Sequence, residues 1–151
     1  MKFYLVKHGG PNANGNIDGT IKSLINHLDL SKTLILSSPD EMASNTAEII
    51  RDKLKLKKKK VKRQKELRVI ERYHGSKDHQ LMSFLICFAA DHYDDPDCED
   101  IIVISHQELI RKTLNAFCNT YVVNGLEYNT VIERGSVHFV DTRKEEISKI
   151  F

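Results

Sequence analysis

The sequence predicts a three-layer α/β/α domain, a mostly parallel open sheet with helices on both faces, and three observations lead there. Short apolar runs alternate with segments whose apolar residues recur every three or four positions. One run, IIVIS at 101–105, is unbroken, as in a parallel strand buried on both faces. Two runs stop at a histidine: KFYLV at 2–6 leads through Lys7 into His8, and IIVIS leads directly into His106. In open parallel sheets ligands bind outside the C-terminal ends of the strands, so both histidines are expected to face one crevice.

Taken in order, KFYLV is β-branched or aromatic at several positions and meets Gly9, Gly10 and Pro11, which end a short buried strand in a loop. Ile17, Ile21, Leu24, Ile25 and Leu28 follow at helical spacing and predict a crossover helix over 17–28. TLIL at 33–36 reads as the second strand. Ser37, Ser38 and Pro39 then start a helix with Met42, Thr46, Ile49 and Ile50 on its inner face. Leu67–Ile70 reads as a short strand delivering Glu71 to a loop near Gly75, and Leu81–Ala90 as an apolar helix ended by the acidic stretch around Pro96. After His106 a helix runs through Leu109, Ile110, Leu114 and Phe117, and strands are expected at Thr130–Ile132 and Val137–Val140, with one antiparallel edge strand near the C-terminus.

A chain of 151 residues suits one domain, 1–151, able to bury a core without disulfide or metal staples. Cys87, Cys98 and Cys118 are odd in number and lack C-x-x-C spacing, which points away from a disulfide framework or zinc site and toward a reducing compartment. The apolar opening is short and interrupted by Lys2 and Lys7, unlike a cleavable signal, and no run approaches a membrane span, so the expected location is cytoplasmic. A net charge of +2 does not by itself imply a nucleic-acid partner. Nine of the thirteen residues from Lys53 to Lys65 are Lys or Arg. Such a run reads first as a solvated helix end and loop, with an anionic lipid, RNA or acidic protein partner as the alternative.

Four local patterns occur in a fixed order: VKHGG, SSPDEMASNTAEII, ERYHG and VISHQELIR. Together they resemble the histidine phosphatase superfamily, which includes phosphoglycerate-mutase-like enzymes and small phosphohistidine phosphatases, and the resemblance runs over most of the chain. It implies a phosphoglycerate-mutase-like fold and a metal-independent phosphatase without a cofactor, acting on a small phosphorylated substrate or a phosphoprotein. In that resemblance His8 matches the nucleophile, which needs a neutral ring nitrogen aimed at phosphorus and the other nitrogen held by a hydrogen bond. His106 matches the second histidine, a donor to an equatorial oxygen. Glu71 matches the acid that protonates the leaving group, a role that requires a raised carboxyl pKa. Gly9 leaves the phosphate room to approach, Asn14 matches a phosphate-contacting asparagine, and the loop from Ser38 is expected to add backbone donors.

Two departures remove arginine: Lys7 and Met42 stand where the family carries phosphate-binding guanidinium groups. Lysine keeps the charge but loses the planar fork, and methionine keeps neither. Losing one preorganised donor typically costs about 2.7–4 kcal/mol of transition-state stabilisation. Arg72 is the first candidate to replace the lost charge because it adjoins Glu71, with Arg111 second. The alternative is a catalytically impaired member that binds a phosphorylated ligand or a protein partner.

Overall fold

The structure, a computed structural model, describes residues 1–10, 17–68, 80–121 and 132–151. The chain runs β1 (Lys2–Lys7), α1 (Ile17–Ile25), β2 (Thr33–Ser37), α2 (Glu41–Lys53), β3 (Val61–Arg63), α3 (Gln80–Asp91), β4 (Asp100–Ser105), α4 (Gln107–Tyr121), β5 (Val137–Asp141) and β6 (Glu146–Lys149). Among the described residues these strands form one sheet in the order β3-β2-β4-β1-β5-β6. The first four in that order are parallel, and β5 and β6 join antiparallel, so the expected mostly parallel sheet is present with two antiparallel strands rather than one.

Side chains alternate across the buried strands and so feed two cores. Tyr4, Val6, Ile35, Ile102 and Ile104 point to the face covered by α1 and α2, where they meet Ile17, Ile21, Leu24, Ala43, Ala47 and Ile50. Phe3, Leu5, Leu36, Ile101 and Val103 point to the other face and meet Leu85 and Phe88 of α3 with Ile110, Leu114 and Phe117 of α4. Each large aliphatic side chain buried this way contributes roughly 1.5–3 kcal/mol. The three-layer arrangement follows from that alternation. No helix among the described residues is long and apolar enough to cross a membrane.

Several element boundaries differ from the sequence reading. Helix α1 ends at Ile25 rather than Leu28, because the backbone N–H groups of His27 and Leu28 both turn back to the Leu24 carbonyl and close the last turn. Helix α2 starts at Glu41, with Asp40 in the N-cap position, instead of at Ser37–Pro39. Its buried face is Ala43, Thr46, Ala47 and Ile50, so Met42 is not on the inner face and is 40% exposed. One residue is about 100° of helix, enough to turn Met42 away from the sheet. The basic run is not simply a helix end and loop: Lys58–Lys60 form a 3₁₀ turn, and Val61–Arg63 add an edge strand beside β2. Of the strand expected over 67–70, Leu67 lies in a 3₁₀ turn, while residues 69 and 70 fall outside the described residues. Thr130 and Val131 also fall outside them, Ile132 lies in no strand, and β6 was not expected.

Candidate active site

The register of β1 on β4 decides where the two histidines go. Val6 pairs with Ile104 and Lys7 with Ser105, so His8 and His106 occupy the next step on neighbouring parallel strands. The His8 backbone N–H donates to the Ser105 carbonyl at 3.1 Å and extends the ladder by one bond. Neighbouring strands lie about 4.8 Å apart. The imidazole centroids are accordingly 4.9 Å apart, edge to face at 70°.

The same logic places the flanking groups in sheet order. Ser37 pairs with Ile104, and the Ser38 N–H donates to the Ile104 carbonyl at 3.0 Å, which sets the loop before α2 beside His106. On the other side, the Lys7 N–H donates to the Ser136 carbonyl and the Gly135 N–H donates to the Lys7 carbonyl. The turn that leads into β5 therefore lies beside His8 and carries Arg134. Across the strand ends the order is Asp40, His106, His8, Arg134.

Asp40 and Arg134 were not singled out in the sequence. Asp40 accepts from His106 Nε2 at 2.8 Å and from Ser38 Oγ at 2.9 Å through Oδ2, and from Arg68 Nε at 3.0 Å through Oδ1. A carboxylate only accepts, so the Nε2 proton of His106 points at Asp40. Burial pushes the Asp40 carboxyl up, but the hydrogen bonds from Ser38 and His106, with the charges of His106 and Arg68, outweigh it and hold the pKa below the usual range. An Asp opening a helix after a strand is a cap signal; nothing in the linear sequence says that it meets His106.

Of the expected phosphate-binding residues, Lys7 lies beside the histidines, with Nζ donating to Gln107 Oε1 at 2.7 Å and to the Ile132 carbonyl at 3.0 Å. Burial and then the Arg134 charge lower its pKa. Gly9 is buried, and its N–H donates to Thr46 Oγ1 at 3.1 Å, which in turn donates to the Met42 carbonyl. That N–H is committed within the protein. Ser38 supplies its hydroxyl to Asp40 and its N–H to β4. Arg111 pairs with Glu108 one turn away on α4, at 2.7 Å, and is spent there. Glu71, Arg72 and Asn14 lie outside the described residues.

Burial, reinforced by His106, Lys7 and Arg134, lowers the His8 pKa to about 4, so its imidazole is neutral at pH 7. Its Nδ1 is buried and no described residue hydrogen-bonds it, so the hydrogen bond expected to hold the ring is not found among the described residues. The arrangement can offer a neutral imidazole nitrogen, cationic groups to one side, and the His106 Nε2 proton to a ligand that displaces Asp40. Those are the elements that nucleophilic attack at phosphorus and stabilisation of its oxygens require. Among the described residues no three His, Cys, Asp or Glu side chains gather as a metal-ligand group.

No protein-family model matches the chain, and no curated protein matches it in sequence. Solved structures do match in fold. The protein histidine phosphatase SixA, solved with tungstate, superposes with a TM-score of 0.71 at 14% identity, over 100% of this chain and 95% of SixA. A phosphoserine phosphatase from Entamoeba histolytica, solved as a mutant with phosphoserine, gives 0.66 at 12% identity over 99% and 95%. A phosphoglycerate mutase from Plasmodium falciparum gives 0.54 at 21% identity over 98% and 87%. The chain thus has the phosphoglycerate-mutase-like fold of the histidine phosphatase superfamily.

Proposed function

We propose that the protein is a phosphatase that hydrolyses a phosphomonoester or phosphohistidine through a phospho-His8 intermediate. The observation that carries this reading is the register of β1 on β4, which sets the His8 and His106 rings 4.9 Å apart at the ends of adjacent parallel strands. Neutral His8 Nε2 attacks phosphorus, and the bond from phosphorus to the leaving atom, an ester oxygen or the ring nitrogen of a phosphohistidine, breaks as the new P–N bond to His8 forms. Glu71 gives that leaving atom its proton and then takes one from water. The activated water attacks phosphorus, the P–N bond breaks, and inorganic phosphate leaves with His8 neutral again. His106 and the cations stabilise the equatorial oxygens, where phosphoryl transfer concentrates charge.

The test is turnover of an aryl phosphate, with quenching in alkaline detergent to trap an acid-labile, alkali-stable phosphoenzyme. Wild-type protein is expected to show both, and His8→Ala neither; equal rates for the two proteins would eliminate the nucleophile. One observation favours a second reading, a phosphate-binding member without turnover: Asp40 already holds the His106 proton, and Lys7 is tied to two neutral acceptors. Vanadate binding with no phosphoenzyme and no turnover would support that second reading.

A further inference from the structure

If positions 7 and 42 do not supply guanidinium groups, another residue must meet the phosphoryl oxygens for turnover to be efficient. The described cations near the cleft differ in what already holds them. Arg68 is paired with Asp40 at 3.0 Å, Arg63 with Glu48 at 2.8 Å, and Arg111 with Glu108 at 2.7 Å. Lys7 has given two protons to Gln107 and Ile132. Among the described residues no acid pairs with Arg134. Its acidic neighbour Glu133 instead reaches Lys149 at 3.5 Å.

Arg134 is also placed rather than merely near. Its turn is fixed to the end of β1 by two backbone hydrogen bonds with Lys7 and closed by the Ser136 N–H on the Glu133 carbonyl. From there the guanidinium packs against Gly10, two residues past His8. A Cβ at Gly10 would sit 3.3 Å from Nη1 and 3.4 Å from Cζ. Gly10 is left-handed at φ +81°, a conformation that glycine adopts without cost, so one residue provides both the turn and the room for the guanidinium. The charge is felt in the site: Arg134 is among the groups that lower the pKa of both Lys7 and His8.

We infer that Arg134, delivered by the turn before β5, is the phosphate-binding cation of this site and stands in for the arginines absent at positions 7 and 42. This rests on the phosphatase reading above and adds to it a residue that no motif in the sequence marks. A guanidinium offers two parallel donors to an oxyanion, the fork that Lys7 lacks. Its exposure before binding keeps it hydrated and ready, and a phosphate bridging Arg134 and His8 would exchange that hydration for charge-assisted hydrogen bonds.

The experiment is calorimetric titration of wild type, Arg134→Met, Arg134→Lys and Arg143→Met with sodium orthovanadate at fixed ionic strength, with aryl phosphate turnover alongside. Arg143 lies over the Tyr93 ring and lines a separate surface pocket with Tyr93, Cys98 and Glu99, so its variant controls for net charge. Arg134→Met is expected to weaken vanadate about ten- to hundredfold, Arg134→Lys to fall between, and Arg143→Met to match wild type. Arg134 is exposed, so the melting temperature is expected to hold in all four proteins. The His8 titration followed by NMR is expected to move upward in Arg134→Met, which loss of a purely structural contact would not produce. Wild-type binding with an unaltered Arg134→Met affinity overturns the role of Arg134 and leaves the phosphatase reading standing. Absence of vanadate binding and of turnover in wild type overturns both.

Discussion

The two halves of the cleft are built from the same kind of part, a histidine at the end of a parallel strand, yet they carry opposite electrostatics. On the β1 side His8 stands with Lys7 and Arg134, and among the described residues no carboxylate pairs with either cation, although the Asp40 charge also reaches His8 and opposes them. On the β4 side His106 is held by Asp40, which is itself held by Ser38 and Arg68. Among the described residues, the first half presents cations without a paired carboxylate around a neutral ring. The second has spent its charge internally. An anion entering the cleft is attracted by one half and must displace a carboxylate from the other, so loss of the principal charged group should weaken anion binding on the first side and strengthen it on the second.

The largest expected effect falls on the β1 side. Removing the nucleophile with His8→Ala should reduce aryl phosphate turnover by at least about a thousandfold, as loss of a covalent catalyst does elsewhere. Vanadate affinity should fall much less, because Arg134, Lys7 and His106 remain. A variant that lost binding and turnover in equal measure would make His8 a ligand contact and no more.

Acid should single out the same half. The folded His8 pKa, about 4, lies below the unfolded value of 6.5. Above pH 6.5 both states are neutral at this residue and its contribution is fully present. As pH falls from 6.5 toward 4 the unfolded chain takes up a proton that the folded chain refuses, so stability declines across that window and levels off below it. Partial solvent exposure reduces the effect to on the order of 1–2 kcal/mol. His138 on β5, buried and likewise lowered to about 4, acts in the same direction. Urea unfolding of wild type and His8→Ala at pH 7 and 4.5 separates the two. The variant should lose less stability on acidification, and an equal loss would assign the whole effect elsewhere.

The contrast also explains what could be read from the chain and what could not. The histidines were legible because each ends an apolar run, and a parallel sheet puts such ends on one side. Their contact was not, since it needs the register Lys7 on Ser105. Strand β3 is only Val-Lys-Arg on an edge, and β6 buries only Ile147, so neither has the apolar alternation that marks a strand. The inner face of α2 was misread by one residue because Ala43 and Ala47, small and buried, carry less pattern signal than Met42 and Ile49. Asp40 and Arg134 reach the cleft through strand order alone, β2 beside β4 and β5 beside β1.

On the β4 side the sign should reverse. Asp40→Asn removes a negative charge from the approach of an anion, releases Arg68, and still offers a side-chain oxygen at the helix N-cap. Vanadate affinity should rise about three- to tenfold, since a like charge beside the entering anion is lost while its solvent screening is incomplete. Turnover need not rise with it, because tighter binding of ground state and transition state alike lowers KM without raising kcat. A fall in affinity would show that Asp40 orients His106 for the ligand rather than opposing it.

The smallest effect should come from Arg68. Its side chain is 54% exposed and that of Asp40 31%, the range in which ion pairs contribute about 0–1 kcal/mol. In wild type the two charges cancel near His106, so Arg68→Ala leaves the carboxylate less compensated and should weaken vanadate by no more than about fivefold. With Asp40→Asn already in place, the same substitution removes a cation that is free to meet the anion, and the loss should be larger. A double-mutant cycle measures that difference directly. Coupling of that sign means that Asp40 masks a guanidinium the cleft could otherwise use. A loss that vanishes in the Asp40→Asn background would mean that Arg68 acts only by compensating the carboxylate and never reaches the anion, leaving the positive charge at the site to the β1 half.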